Sequence, residues 1–339
     1  MYKMTLWAWT LVLALILSGC SAGNIGAWLK ISGYTQGTTY NITYQDPDST
    51  DYQDKLEELL AEFDQSLSTY IPSSIVSRMN QGIPDVIADN YFRNCFQAAE
   101  EVYVATGGAF DITVAPVVNA WGFGFTERSR VDSALIDSLL QFVGMNKVSL
   151  RDNKLVKETD GMMLDMNAIA QGYAVDVLAE FFDAENIENY LVEIGGEVRT
   201  NGKNRFGLDW RIGIDKPIDG LQLPGVQMQA IVQISGKSLA TSGNYRRFYE
   251  EDGIKYSHTI DPSTGYPVQH GLLSATVVAH DCMRADAYAT AFMVMGYEKA
   301  RRFLEEHTYL DAYLIFNDEA GEYRVWYTAG MEKILSKEL

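Results

Sequence analysis

Residues 165–176 read Asp-Met-Asn-Ala-Ile-Ala-Gln-Gly-Tyr-Ala-Val-Asp, and this stretch decides how the middle of the chain folds. Ile169 and Tyr173 recur at helical spacing, and Asp165 is a residue type that caps helix N-termini. We therefore predict a helix over 167–183 with Asp165 as its cap. Its small-residue first turn would let an anion or a metal-bound phosphate approach free N–H groups. An ordinary, closely packed helix explains the spacing equally well.

Strand-like and helical segments alternate irregularly on both sides of this helix. Without a steady βαβ rhythm, the pattern favours an α+β fold over a doubly wound sheet. No repeat and no long Pro/Gly linker marks a boundary, so we expect one intertwined unit. The predicted strands cover 38–44, 191–194, 210–214, 226–234, 273–279, 312–316 and 323–327, and the other predicted helices cover 52–67, 91–105, 132–142, 284–295 and a segment ending at 307.

The N-terminus has the parts of a secretory signal. Lys3 is the only charge before an apolar run at 6–17, and small residues precede Cys20. The run Leu-Ser-Gly-Cys that ends at Cys20 resembles the bacterial lipobox, in which the Cys is acylated. An uncleaved span is the alternative, but crossing roughly 30 Å of hydrocarbon takes about 20 apolar residues. We expect a signal peptide over 1–19, then a lipidated Cys20 and a tether over 20–33.

The composition is that of an acidic globular protein. Apolar residues make up 47% and charged residues 21% of the chain, and the formal charge is −18, or −19 without the segment that carries Lys3. This charge argues against nucleic acid as a partner and against adhesion to anionic lipid head groups. Beyond Cys20, only Cys95 and Cys282 remain. Two cysteines give no disulfide framework, and we expect both to be buried as small apolar residues.

The common metal and nucleotide motifs are missing from the sequence. The four His residues are scattered, and there is no His-x-x-x-His or Cys-x-x-Cys, so zinc is not expected. A P-loop, a nucleophile elbow and a Rossmann fingerprint are also absent. Candidate functional residues must therefore come from polar clusters at the ends of elements.

Two of these clusters contain a glycine pair. Residues 106–113, Thr-Gly-Gly-Ala-Phe-Asp-Ile-Thr, would let a ligand approach the backbone, with the flat face of Phe110 beside the Asp111 carboxylate. A helix stop followed by a strand is the plainer interpretation. Residues 194–197, Ile-Gly-Gly-Glu, place a carboxylate after a strand, and a hairpin turn is the favoured interpretation there.

A further polar region extends over 239–267. Arg246 and Arg247 could clamp phosphate oxygens, and His258 could act as an acid or base near neutral pH. The run Asp-Pro-Ser-Thr-Gly that starts at Asp261 is also a good turn, and a turn requires no catalysis.

The last cluster lies in a predicted helix. Residues 285–291, Ala-Asp-Ala-Tyr-Ala-Thr-Ala, put Asp286 and Thr290 four residues apart on one face. With a backbone carbonyl they would offer the hard oxygen ligands that Mg²⁺ prefers. A helical Asp is more often simply solvated, so the pattern alone does not establish a metal site.

Taken in order, these clusters resemble the ApbE family, the FAD:protein FMN transferases. The resemblance covers about residues 34 to 330 and implies a T-fold-like α+β architecture for one domain over 34–335. The matching segments are 107–113, 165–176, 195–197, 241–248, 258–265 and 285–291, with N-terminal matches at 37–40 and 68–70.

The resemblance implies an Mg²⁺-dependent enzyme that splits FAD and attaches FMN to a Thr of a target protein, releasing AMP. Implied partners are exported domains of Nqr/Rnf-like membrane redox proteins. The signal peptide and lipidated Cys20 would place the enzyme at the periplasmic face of a bacterial membrane, with the inner membrane favoured over the outer. A periplasmic FAD pyrophosphatase that releases FMN and AMP is an alternative, as is a flavin-binding lipoprotein without catalysis. The intact pair Asp286 and Thr290 argues against the last, because flavin storage needs no metal ligands.

Residue by residue, the resemblance assigns the metal to Asp286, Thr290 and the carbonyl of Ala168. His258 would assist removal of the proton from the target Thr, and Asp286 would be essential to catalysis. Gln36, Gln171 and Thr259 depart from the residues common in the family, although contacts through backbone atoms survive such changes. The implied FAD contacts are Gln36, Tyr70, Ala109, Phe110, Asp111, Gln171 and Thr259.

Overall fold

Fourteen strands and nine α-helices make up the described part of the chain. The computed structural model describes residues 26–125, 130–218, 227–245, 248–251 and 254–337. The strands are β1 (Ala27–Thr35), β2 (Thr38–Asp46), β3 (Val148–Arg151), β4 (Lys154–Lys157), β5 (Tyr190–Ile194), β6 (Glu197–Asn201), β7 (Trp210–Asp215), β8 (Met228–Ile234), β9 (Ser238–Gly243), β10 (Phe248–Glu251), β11 (Ile254–Ser257), β12 (Leu272–Ala279), β13 (Asp311–Asn317) and β14 (Tyr323–Tyr327).

Five of the nine described helices begin at a short polar side chain that accepts a backbone N–H. Asp89 accepts a hydrogen bond from the backbone N–H of Phe92, and Asp281 accepts one from Arg284. The helices are α1 (Gln53–Leu67), α2 (Ile75–Asn80), α3 (Asn90–Ala105), α4 (Ala115–Ala120), α5 (Ser133–Leu140), α6 (Ala170–Ala184), α7 (Cys282–Met295), α8 (Tyr297–Glu306) and α9 (Ala329–Ile334).

One eight-stranded antiparallel sheet organises these elements. Its order is β1-β2-β5-β6-β9-β12-β13-β14, and three two-stranded sheets (β3-β4, β7-β8 and β10-β11) accompany it. Both faces of its centre are covered. Ala275 and Val277 on β12 join the large core beneath the helices, whereas Val278 joins a second core with residues of β7, β8 and α9. Because both faces are buried, β12 is apolar almost throughout. The α+β class is therefore confirmed.

The predicted tether is wrong in its second half. Residues 27–33, expected to be tether, belong to β1, which pairs along its whole length with β2 at the edge of the main sheet. Ile31 is buried, and Trp28 packs edge-on against Trp210 with ring centroids 5.9 Å apart. The alternation of apolar and polar residues in β1 (Leu-Lys-Ile-Ser at 29–32) is a strand signal that the tether prediction did not use.

Two other expectations concern cysteine and the membrane. Cys95 and Cys282 are both buried, as expected, and they are not paired with each other. Across the parts of the chain that the structure describes, no helix has the length and apolar character needed to span a bilayer. The signal peptide over 1–19 and Cys20 lie outside the described residues, so both remain predictions, as does the domain range 34–335.

An aromatic cluster joins α6 to the sheet. Phe182 on α6 is fully buried, and its ring centroid lies 4.9 Å from that of Tyr44 on β2 and 5.6 Å from that of Tyr190 on β5. Aromatic pairs in these arrangements add to the free energy gained from burial alone. The cluster therefore fixes α6 against β2 and β5.

We expect Phe182→Ala to lower the free energy of unfolding by about 3–5 kcal/mol, because it removes a buried ring and leaves a cavity. Phe206, which is 71% exposed, provides the matched control, and Phe206→Ala should change the value by less than about 0.5 kcal/mol. Urea unfolding followed by far-UV circular dichroism measures both. Equal effects of the two substitutions would contradict this description of the core.

Candidate active site

The helices α6 and α7 cross in very close contact at Gly172. A Cβ atom at this position would overlap the carbonyl oxygen of Cys282 and press on the Cβ of Asp286. Only glycine permits this approach. The crossing brings the first turn of α6 against the first turns of α7, where the predicted metal ligands lie.

Asp286 caps the N-terminus of α6 from the neighbouring helix. Its Oδ2 accepts a hydrogen bond of 3.1 Å from the backbone N–H of Gly172, and the residue is 6% exposed. Burial raises the pKa of the Asp286 carboxyl well above its ordinary range. The alternative of a solvated helical Asp is therefore wrong.

This contact changes where α6 begins. In a helix continued backward, the Gly172 N–H would bond the carbonyl of Ala168, four residues earlier. Because Asp286 takes that N–H, the helix starts at Ala170, and the predicted start at 167 is wrong. Asp165 accepts a hydrogen bond of 2.9 Å from the backbone N–H of Asn167 and so caps a turn, not the helix.

The Ala168 carbonyl is left free by this arrangement. Within the described ranges it accepts no hydrogen bond, and Oδ1 of Asp286 accepts none either. Thr290 lies one turn further along α7, and its hydroxyl is 3.1 Å from the Ser242 hydroxyl on β9. The fold thus supplies three oxygen types near one helix crossing: a carboxylate, a hydroxyl and a carbonyl.

This donor set fits Mg²⁺. Among the described residues there is no group of three or more His, Cys, Asp or Glu side chains that could hold a metal. A metal held here would have Asp286, Thr290 and the Ala168 carbonyl as protein ligands. Mg²⁺ accepts such sparse, all-oxygen sets because it retains waters or phosphate oxygens as its other ligands.

Gln171 is tied to the glycine hairpin between β5 and β6. Its side-chain amide donates a hydrogen bond of 3.0 Å to the Ile194 carbonyl and a second one to the Glu197 carboxylate. Gly195 and Gly196 both have positive φ, so the hairpin interpretation of this cluster is confirmed. Gln171 therefore helps to align the N-terminus of α6 with the end of the sheet.

The β1–β2 turn reaches the same end of the sheet. Gln36 lies in this turn, and its amide donates a hydrogen bond of 3.1 Å to Asp64 near the end of α1. Burial raises the pKa of the Asp64 carboxyl. Tyr70, which follows α1, is 58% exposed, so its ring is available to a ligand.

The segment 106–113 is more structural than expected. Phe110 is 2% exposed and packs in the large core, so the expectation that its ring offers a free face is wrong. The Asp111 carboxylate accepts hydrogen bonds from the Thr113 N–H and hydroxyl and from the Met145 N–H. Contacts of these two residues with FAD would use backbone atoms.

A cavity of about 520 Å³ opens beside this segment. Its volume is in the range of small-molecule sites. Ala109, an expected FAD contact, lies on its wall together with residues of α8 and of the turn at 261–263. The lining residues are Ala105, Thr106, Gly107, Gly108, Ala109, Asp261, Ser263, Val294, Met295, Lys299, Arg302, Phe303 and Glu306.

His258 and Thr259 lie on a separate hairpin. Ile260 pairs with Pro267, and Asp261 closes the turn by accepting the Gly265 N–H at 2.8 Å, so the turn interpretation is confirmed. Thr259 is buried, and the half-buried His258 ring packs edge-on against Phe123. Arg246 and Arg247 lie outside the described residues.

The contacts therefore join Ala168, Gln171, Asp286 and Thr290 through α6 and α7, and Gln36 through the neighbouring hairpin. Gly172 and Ser242 were missed as site residues. A glycine in the first turn of a helix was the available signal for Gly172, because glycine there costs helix stability unless close packing requires it. The assigned roles remain predictions.

The chain is similar in sequence to one family along most of its length. The sequence model of the ApbE family matches residues 36–314. The FAD:protein FMN transferase of Vibrio cholerae is 36% identical over 98% of this chain and 99% of that protein, and the Escherichia coli K12 protein of the same description is 34% identical over 91% of this chain and 89% of that protein.

Solved structures give the same result. Flavin transferase ApbE from Vibrio cholerae superimposes with a TM-score of 0.82 at 35% identity, covering 91% of this chain and 99% of that one. The apo form of Pseudomonas stutzeri flavinyl transferase ApbE gives 0.80 at 33% identity, covering 91% of this chain and 96% of that one. This chain is a member of the ApbE family.

Proposed function

We propose that this chain is an Mg²⁺-dependent FAD:protein FMN transferase that attaches FMN to a Thr side chain of a target protein and releases AMP. The observation that carries the proposal is the α6–α7 crossing, where the buried Asp286 accepts the Gly172 N–H and the Ala168 carbonyl, four residues before Gly172, accepts no hydrogen bond within the described residues. The activity itself is supported by relatives that are described as FAD:protein FMN transferases and that align over 98% and 91% of this chain.

The residues at the crossing suit pyrophosphate chemistry. Mg²⁺ held by Asp286, Thr290 and the Ala168 carbonyl would neutralise the negative charge of the FAD pyrophosphate. Phosphoryl transfer depends mainly on positioning and charge neutralisation, so one carboxylate and two neutral oxygens are a sufficient protein contribution. The N-terminus of α6 adds a partial positive charge at the crossing.

The transfer step then needs a proton acceptor. The target Thr oxygen forms a bond to the phosphorus of the FMN moiety, the bond from that phosphorus to the AMP oxygen breaks, and AMP leaves. His258 takes the Thr hydroxyl proton in this proposal. Its half-buried position against Phe123 keeps the ring partly open to solvent and to an incoming protein segment.

The proposed location follows from the N-terminal signal. Cleavage before Cys20 and its acylation would tether the domain at the periplasmic face of a bacterial membrane, with the inner membrane favoured. The proposed acceptors are therefore exported domains of Nqr/Rnf-like membrane redox proteins. The acidic surface gives no attraction to anionic lipid, so a covalent anchor is the suitable means of attachment.

The acceptor distinguishes the transferase from a hydrolase. The protein that begins at residue 21, without the signal peptide and Cys20, is incubated with FAD, Mg²⁺ and a target domain that carries the acceptor Thr. A fluorescent flavin band on the denatured target, with AMP released, supports the transferase. Free FMN and AMP without labelled target supports the pyrophosphatase, and unchanged FAD supports a binding protein.

We expect Asp286→Asn to lower FMN transfer at least about 100-fold, because it removes the charge offered to the metal while an amide oxygen still accepts the Gly172 N–H. Thermal unfolding checks that the variant is folded. Glu180→Gln, at an exposed side chain on α6, is the control and should retain transfer. Activity within about tenfold of wild type for Asp286→Asn would remove the metal assignment.

We expect His258→Gln to lower the kcat of transfer by about 10²–10⁴-fold, the range typical of a lost general base. Because His258 is assigned to the Thr proton and not to the flavin, the dissociation constant for FAD, measured by fluorescence quenching, should stay near that of wild type. His280→Gln changes an exposed His and serves as the control. An unchanged kcat for His258→Gln would reject its proposed role.

A further inference from the structure

The N-termini of α6 and α7 are each capped by a carboxylate of the other helix. Asp286 on α7 accepts the Gly172 N–H of α6, which has no side-chain cap of its own. In return, Asp176 on α6 accepts the N–H of Cys282 at 2.9 Å through Oδ1 and that of Met283 at 2.8 Å through Oδ2. The two helices therefore hold each other at their first turns.

Arg199 on β6 completes this exchange. Its Nη1 donates to Oδ1 of Asp176 at 2.9 Å, and its Nη2 lies 3.6 Å from Oδ2 of Asp183. Asp176 is 3% exposed, and burial raises the pKa of its carboxyl to about 6 against the opposing effects of Arg199 and the two N–H groups. Arg199, on a strand of the main sheet, thus supplies the positive charge that stabilises the buried Asp176 carboxylate while it accepts hydrogen bonds from α7.

The hydrogen bonds from α7 to Asp176 lie one helical turn from Asp286, so they affect the position of its carboxylate. Asp286 follows Cys282 by four residues, about one helical turn or roughly 6 Å along the axis. A shift of α7 by a single residue would move Asp286 by about 1.5 Å and rotate it by about 100°. Either change would break the hydrogen bond to Gly172 and alter the separation between the Asp286 carboxylate and the Ala168 carbonyl.

We propose that Asp176 and Arg199 are positioning residues for the metal-binding group: together they fix the rotation and axial position of α7 against α6, and so set Asp286 relative to Ala168. This inference rests on the proposed function. Neither residue is one of the assigned metal ligands. Substitution of residues that orient metal ligands without binding the metal commonly lowers metal affinity about 10–100-fold.

A second cap on the same helix allows the positioning role to be separated from simple stabilisation. Asp281 accepts the Arg284 N–H at 2.9 Å, and it lies on the chain segment that starts α7 itself. Its loss weakens the helix end, but it makes no bond to α6. Asp281→Ala is therefore the matched control for Asp176→Asn, whose amide cannot accept both N–H groups and pair with Arg199.

The experiment measures two quantities on the chain that begins at residue 21 and on its variants Asp176→Asn and Asp281→Ala. The first is the Mg²⁺ concentration that gives half-maximal FMN transfer at saturating FAD. The second is amide hydrogen exchange, read at residues 170–176 and 282–288 without metal or FAD. Neither quantity requires the other, and the exchange measurement does not depend on activity.

For Asp176→Asn we expect the half-maximal Mg²⁺ concentration to rise about tenfold or more, with the KM for FAD at saturating Mg²⁺ close to wild type. Exchange should increase on both helices, at Gly172 as well as at Cys282 and Met283. For Asp281→Ala the increase should be confined to α7, and the Mg²⁺ requirement should stay near wild type.

An unchanged Mg²⁺ requirement in Asp176→Asn, or an equal rise in Asp281→Ala, would overturn the inference. If Asp176→Asn does not fold, Arg199→Lys is measured in the same way and should shift both quantities in the same direction. A wild-type chain with no Mg²⁺-dependent transfer would overturn the proposed function instead. The exchange data would then still decide whether Asp176 holds the two helices together.

Discussion

The hydrogen bond from the Gly172 N–H to Asp286 is the contact on which the site depends. It joins residues 114 positions apart in the chain and requires two helices to approach without an intervening side chain. By taking an N–H that would otherwise close the first helical turn, it frees the Ala168 carbonyl. The crossing that buries Asp286 therefore also leaves the Ala168 carbonyl without a hydrogen bond among the described residues.

The same crossing provides hydrogen-bond donors for two buried carboxylates. Asp176 and Asp286 are both nearly excluded from water, and buried carboxylates without partners are costly. Each faces the N-terminal end of the other's helix, where free N–H groups carry partial positive charge. Asp176 also has Arg199, whereas Asp286 has one N–H and a free oxygen. This difference leaves Asp286 the carboxylate still able to accept a cation.

Local patterns in the sequence were enough for most of the elements. The spacing of apolar residues gave α1, α3, α5 and α7 to within a few residues, and the i, i+4 pair of Asp286 and Thr290 is on one helix as predicted. Resemblance to the family supplied the candidate ligands. What local patterns missed was the effect of contacts with other elements, some of them far along the chain.

Three positions illustrate this limit. The start of α6 follows from Asp286, which no window around Asn167 contains. Phe110 is adjacent to glycines and an aspartate, but its ring is drawn into the large core by residues elsewhere in the fold. Ile31 lies in β1, which was predicted to be part of a tether but pairs with β2 across a two-residue turn. Spacing reports the periodicity of an element, whereas its ends and burial are set by tertiary contacts.

The position of β1 also constrains how an anchored enzyme could reach its target. If Cys20 is acylated as proposed, only six residues separate it from the strand that begins at Ala27, and they can span at most about 20 Å. The nine residues of β1 extend about 30 Å further and end at the turn that carries Gln36. That turn contacts α1 and lies at the end of the sheet nearest Gln171. With such an anchor, β1 would separate the lipidated residue from the proposed site, which would lie at the opposite end of this strand.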